Sequence, residues 1–340
     1  MTTVSNQPTA PSSDSVAHAP DDPFHPGEHA LQRRTGVRER LAEIGTHIMR
    51  EQMPEQHREL FGKLPWLLVG SLDADGQPHA SALAGPPGFV RTPDARTMVV
   101  AARPDADDPL AAALRVGASL GVLGIEPHTR RRNRMNGVVT AVDAQAFAID
   151  VRQSFGNCPK YIQAREAQWH EAAPPPGGVS LRAERLDARA IALVRTSDTF
   201  YIASSAGPDR LARTRAHGVD VSHRGGKPGF VRVDLARDGT QTLTVPDFSG
   251  NFLFNTLGNL AAHPRAGLLF IDLQRGDLLH VSCDAELLWD GDEIASFVGA
   301  QRLLKLHVRA ALRRDHALPL RWGAAALAPQ LLSTGEWRSR

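Results

Sequence analysis

Two hydrophobic spacings divide this chain. After Val37, the residues Leu41, Ile44, Ile48 and Met49 recur at steps of three and four, which predicts an amphipathic helix. Pro54 ends or kinks it, and a second short helix follows through Leu60, while Phe24 to Arg34 reads as an ordered arm. From Leu64 the spacing tightens to that of strands. Trp66–Leu72, Gln77–Ala84, Thr97–Ala101, Leu120–Ile125, Gly137–Val142 and Phe147–Val151 are predicted strands, the first two joined by the turn Asp73-Ala74-Asp75-Gly76. Asp107-Asp108-Pro109 opens a helix to about Arg115. Further on, Phe200–Ser204, Phe230–Val233, Thr242–Val245, Ala266–Ile271 and Leu278–Leu287 repeat the strand pattern around a helix over Asn251–Ala262. The tail from Ala295 supplies one more helix and a strand near Leu303–Val308.

The second series copies the first. Pro87-Gly88-Phe89-Val90-Arg91 returns as Pro228-Gly229-Phe230-Val231-Arg232, and the order of elements around each copy agrees. Short strands with a turn every ten or so residues argue for antiparallel barrels and against a doubly wound sheet. The expected fold is mainly β with flanking helices, in two tandem barrel units that form a pseudo-dimer within one chain. The expected division is a disordered tail at 1–22 and a helical arm at 23–63, packed most simply on the outside of the first unit. That unit would span 64–171, the linker 172–189 and the second unit 190–340.

Composition narrows the classes. A net charge of +2 over 340 residues gives no field that points to nucleic acid or to an acidic membrane surface. Only four of the 39 basic residues are lysines (Lys63, Lys160, Lys227, Lys305), so arginine abundance alone says little about function. Cys158 and Cys283 form no CxxC pair, and the opening residues lack an apolar core, which together suggest a reduced, cytoplasmic setting. No apolar run approaches the ~20 residues a membrane helix needs. Dinucleotide, P-loop, zincin and nucleophile-elbow motifs are absent, so reducing equivalents would come from NAD(P)H or a partner reductase.

The second unit carries a family pattern. Thr-Leu-Thr-Val-Pro-Asp-Phe, then Gly250-Asn251, Phe254 to Leu260, and His263-Pro264-Arg265-Ala266-Gly267 through Asp272 resemble the pyridoxamine 5'-phosphate oxidase-like family of flavin-binding split barrels. Val221 to Gly226 fits that family's flavin-side segment. Arg131-Arg132-Asn133-Arg134-Met135-Asn136-Gly137 resembles its Arg-Gln-x-Arg-x-x-Gly strand more loosely. Gly250-Asn251 replaces the Arg-Lys pair of the oxidases proper, and their C-terminal signature is missing. The resemblance therefore implies a Greek-key split barrel and FMN, and not vitamin B6 chemistry. It implies an oxidoreductase with hydride transfer through the flavin, on an unknown small-molecule substrate, as a pseudo-dimeric monomer or a homodimer.

Candidate residues follow. Asn251, Asn255, Thr256 and Asn259 lie on or beside a helix start, where short polar side chains and backbone N–H groups bind phosphate or simply cap the helix. Ser222, His223, Arg224 and Gly225 are expected at the flavin, with His223 a proton-donor candidate. Arg131, Arg132 and Arg134 would close the site from the other unit, or else form a solvated strand edge; alternation places Arg130, Arg132 and Arg134 on one face. Cys158, near Lys160, is a reactive-thiol candidate or an inert buried cysteine, and Gln153 to Tyr161 is a candidate site wall. No metal site is expected. The alternatives are a non-catalytic flavin-binding module, or a barrel holding deazaflavin or haem, for which His217, His223, His263 and His280 would be axial candidates.

Overall fold

The computed structural model describes residues 22–171, 180–207, 214 and 216–338. The tail expectation for 1–22 and the Pro-rich part of the linker fall almost wholly outside these residues.

Helices α1 (Pro26–Arg34), α2 (Arg38–Ile48) and α3 (Glu55–Lys63) precede the first sheet. That sheet contains β1 (Trp66–Leu72), β2 (Pro78–Ala84), β3 (Val90–Arg91), β4 (Thr97–Val100), β5 (Ser119–Glu126), β6 (Arg131–Val142) and β7 (Phe147–Gly156), with α4 (Pro109–Ala113) ahead of β5. Short strands β8 (Ala167–Trp169) and β9 (Ser180–Ala183) and helix α5 (Ala188–Thr196) connect to the second sheet. There β10 (Thr199–Ser205), β11 (Val219–Gly225), β12 (Arg232–Leu235), β13 (Gln241–Asp247), β14 (Arg265–Ile271), β15 (Leu278–Leu288) and β16 (Arg302–Arg314) surround α6 (Asn255–Ala262), and β17 (Leu320–Trp322) pairs with β8.

The two sheets have one topology. Strand order β2-β1-β5-β6-β7-β4-β3 in the first is matched by β11-β10-β14-β15-β16-β13-β12 in the second, all antiparallel. The chain is thus mainly β with flanking helices, built as two tandem split-barrel units. The repeated pentapeptide is a turn in both copies. Gly88 (φ 93°) and Gly229 (φ 87°) adopt the left-handed backbone that only glycine takes without strain, and Phe89 and Phe230 fold back into their own cores.

Alternation along a strand explains why these strands read as unbroken apolar runs. On β1, Leu67 and Val69 face the core of the first unit, whereas Trp66 and Leu68 face a third core between the units. On β10, Phe200 and Ile202 point inward while Tyr201 and Ala203 join that shared core. The approach is close enough to require glycine. A Cβ on Gly121 would lie 2.3 Å from the Val219 carbonyl oxygen, and one on Gly267 would lie 2.1 Å from that of Pro78. These two contacts are exchanged when the units are exchanged.

Three expectations need correction. The N-terminal arm does not simply cover the first unit. Its helix α1 packs on α6 of the second unit, and Phe24, Leu41 and Met49 share one cluster with Phe155 of the first and Leu253 of the second. The arm is a clasp, because burying a stripe on both units removes more apolar surface than covering one. The tail after Ala295 holds no α-helix among the described residues. It has 3₁₀ turns at Ile294–Ser296 and Pro329–Ser333, and β16 runs much further than Leu303–Val308. Helix α6 starts at Asn255 and not Asn251, since Phe254 ahead of it is left-handed (φ 64°). In the segment read as linker, β9 adds to the edge of β16. No helix among the described residues is long and apolar enough to cross a membrane, and both cysteines are free thiols.

Candidate functional site

The basic run Thr129–Arg134 is sorted by backbone geometry. A 3₁₀ turn at Pro127–Thr129 ends in left-handed Arg130 (φ 55°), which sends its side chain to the carbonyls of Ile162, Ala326 and Leu327. Arg130 therefore leaves the expected row. On β6 the alternation then holds: Arg131 turns toward the Gln56 carbonyl in the first turn of α3, while Arg132 and Arg134 cross to the second unit.

Arg132 Nε donates to the Cys158 carbonyl (2.7 Å) and its Nη1 to that of His223 (3.5 Å). Arg134 donates to the Ser222 hydroxyl and to Asp220 (3.2 Å). Thr256 Oγ1 donates to the same Ser222 oxygen (2.9 Å). Asp220 is the anchor of this crossing, because Asn136 and Asn259 each donate to it at 2.8 Å as well. Burial lowers the pKa of both arginines, that of Arg132 to about 10, and both stay cationic at neutral pH.

These groups form one side of a cavity of about 130 Å³. Ser222, His223, Arg224 and Gly225 of β11, Asn251, Asn255 and Thr256, and Arg132 and Arg134 all line it, as does Cys158. Arg131 and Asn259 do not. Asn255 turns its amide to Glu28 Oε1 (2.6 Å) on α1, so it braces the site from behind. Sequence reasoning gave no site role to Arg302, Phe248, Phe252, Phe254 or Asp247, which also line it; Asp247 pairs with Arg224 (2.5 Å) and with Arg302 (3.3 Å), which stands just ahead of the strand expected at Leu303–Val308.

Two observations make this wall a candidate ligand site. First, Arg134 Nε, Arg224 Nε, Arg302 Nη1 and Asn157 Nδ2 are buried without a hydrogen-bond partner among the described residues. Four donors, three of them on guanidinium groups, converging on one cavity are what an anion satisfies. Second, the described residues include five non-glycine residues with positive φ, and Tyr161 (67°), Phe252 (60°) and Phe254 (64°) all line this cavity. Left-handed aromatic residues are strained, and strain gathers where geometry serves binding.

The donor set fits the phosphate of FMN, and Tyr161, Phe248 and Phe252 fit an aromatic ring system. The enclosed volume is below the ~300–1,000 Å³ of a whole-ligand pocket. A space of this size would take the anionic end of such a ligand, with the rest at the mouth beside exposed Asn251 and Phe252.

His223 is buried, and its pKa is pushed well below the ordinary value by desolvation and then by Arg132, Arg224 and Arg165. Its imidazole is neutral at pH 7 and suited to accept a proton or hydrogen bond. It also lines a second cavity of about 520 Å³, bounded by α5, the Asp272–Asp277 turn, Tyr201 and Trp322, with the Arg165–Asp198 ion pair in its wall. His223 is the partition between the two spaces. Of the other histidines, His217 lies beside His25 and His280 is buried near Asp108. No group of three or more His, Cys, Asp or Glu among the described residues is placed to hold a metal ion.

With this geometry in place, comparison adds the family. Residues 53–195 match the family described as pyridoxamine 5'-phosphate oxidase. The match falls on the first unit, where the residue pattern was the looser of the two. No curated protein matches. Similar solved structures include HupZ of Group A Streptococcus (14% identity, 31% of this chain, 93% of that one, TM-score 0.25). An FMN-binding protein from Syntrophomonas wolfei subsp. wolfei gives 11% identity over 36% of this chain and 96% of that one, with TM-score 0.26. An F420 reductase gives 13% over 30% and 95%, with TM-score 0.22. Scores of this size carry no argument about function.

Proposed function

We propose that the protein binds one FMN phosphate in the cavity between the units and acts as a flavin-dependent oxidoreductase on a small molecule. The observation that carries this reading is the set of buried, unpartnered donors on Arg134, Arg224, Arg302 and Asn157 beside an aromatic rim. The family match supports a flavin over other phosphate ligands.

Arg132 and Arg134 hold the phosphate from the first unit, and Ser222, Thr256 and Arg224 hold it from the second. Bound FMN supplies hydride acceptance and return at its ring. Tyr161, Phe248 and Phe252 cover the ring and exclude water. Neutral His223 presents an accepting nitrogen between cofactor and the larger cavity, which takes the second reactant. Electrons come from NAD(P)H or a partner reductase. Cys158 faces the same space, with its carbonyl already committed to Arg132.

The test is an absorption spectrum of purified protein with and without added FMN, then with NAD(P)H under anaerobic conditions. A flavin spectrum that bleaches is expected. Bound flavin that never bleaches with any donor would reduce the protein to a binding module, and absence of flavin uptake would overturn the reading. A Soret band would replace flavin by haem, which neutral His223 on the cavity wall would then help to hold.

A further inference from the structure

The two units exchange residue for residue, so the anion site has a counterpart. Gly70 pairs with Ala80 and Gly121, and Ala203 pairs with Val221 and Gly267. Counting along these registers makes Ser81 the counterpart of Ser222. Likewise Leu123 faces Arg134 and Leu269 faces His280, which makes His280 the counterpart of Arg134 and Leu278 that of Arg132. Leu278 pairs with Arg314, just as Arg132 is met by Asn157. The second place thus keeps a serine, loses both arginines of the long strand and gains one on the neighbouring strand.

What fills that place is a side chain. Asp108, 3% exposed, accepts from the Ser81 hydroxyl (2.5 Å) and from Arg314 Nη1 (2.7 Å). Arg314, 5% exposed, spends its other terminal nitrogen on Asp105. His280 Nδ1 donates to the Ala80 carbonyl (3.0 Å), and its buried Nε2 lies 3.9 Å from Asp108 with no hydrogen-bond partner among the described residues. At the open site the residue in the corresponding position, just before α6, is Phe254 on the cavity wall. Beside the closed site lies a cavity of about 300 Å³ lined by His79, Pro109, Arg182, His280 and Leu312.

We propose that Asp108 is a built-in occupant of the second, symmetry-related anion site: its carboxylate sits where the other site takes a phosphate, so each chain binds one phosphate-bearing ligand. Arg314, Ser81 and His280 form a latent anion site that loss of this carboxylate uncovers. A carboxylate and a phosphate oxygen pair meet a guanidinium fork in the same way, which is why one substitutes for the other.

The count of one rests on the FMN reading, and the test separates the two. Equilibrium dialysis of the apoprotein against FMN should give one equivalent per chain. Two equivalents would overturn the proposal; none would overturn the FMN reading, leaving the latent site to the second arm. That arm melts wild type, Asp108→Ala and Asp108→Ser with and without inorganic phosphate. Both variants should melt lower than wild type, and phosphate should raise their Tm by about 2 °C or more beyond its effect on wild type. Equal phosphate shifts in all three proteins would overturn the proposal. Asp108→Ser keeps an oxygen to cap the Leu110 N–H while vacating the place of the carboxylate, so it decides the matter if the alanine variant does not fold.

Discussion

Arg134 of the first unit donates to the Ser222 hydroxyl of the second, and the same arginine is paired with Asp220. One side chain therefore joins the units and frames the cavity. Arg134→Ala should weaken FMN binding by about 2 kcal/mol or more, roughly thirtyfold, because a desolvated guanidinium is lost from the phosphate. Arg134→Lys should recover part of this, keeping the charge without the fork. Flavin fluorescence titration checks both; unchanged affinity in the alanine variant would place the phosphate elsewhere.

Asn251 and Asn255 should separate. Asn251 is exposed at the mouth and its Oδ1 accepts only from the Leu253 N–H (3.2 Å), so Asn251→Ala should lower ligand affinity at a small cost in stability. Asn255→Ala leaves Glu28 Oε1 without its donor in a buried setting and should cost about 1–3 kcal/mol of stability. Urea unfolding and flavin titration on the two single variants would show the split, and equal stability losses would contradict it.

Phe252 is held at φ 60° with its ring at the cavity mouth. Phe252→Gly should stabilise the apoprotein by about 1 kcal/mol through relief of backbone strain, while lowering flavin affinity. A variant that is both less stable and a normal binder would remove strain from the account.

The larger cavity should govern the second reactant. Leu193 on α5 lines it and touches nothing in the smaller one. Leu193→Trp should leave flavin occupancy unchanged and slow anaerobic bleaching several-fold. Loss of flavin from this variant would mean that the two spaces hold one ligand.

Acid should destabilise the fold well before carboxylates titrate. Burial lowers the pKa of His25, His57 and His280 from 6.5 to about 4, and holds that of His223 well below 6.5. Between pH 6.5 and 4 the unfolded chain binds protons at these histidines that the folded chain refuses, so stability falls as pH falls. Glu28, raised well above 4.5 by burial and by Asp220, works the other way, since its folded form gains a proton first. Four groups against one set the sign. Tm should drop steadily from pH 7 to pH 5, and a flat profile would show that water reaches these histidines.

The barrel strands were legible because alternation and turn residues are local properties. The duplication was legible because Gly88 and Gly229 solve one backbone problem with one pentapeptide. The clasp formed by α1 was not, since a helical stripe states that something is buried and leaves its partner unnamed. Arg132 and Arg134 were readable from a basic run on a strand, yet Arg130 escaped because its left-handed φ interrupts the alternation. Asp220 and Arg302 carried no signal, as each gains meaning only from partners far along the chain, Arg134 and Asn136 for the one and Asp247 for the other.

Fusing the two units has an evolutionary consequence. In a homodimer every substitution is made twice, so a replacement that ruins one site ruins its mate. Here Gly121 and Gly267 still meet the opposite backbone as mirror partners, yet Arg134 and His280 have parted company. In a single chain Arg134 can cross between the units while its counterpart His280 sits beside Asp108, and neither residue has to be compatible with a copy of itself.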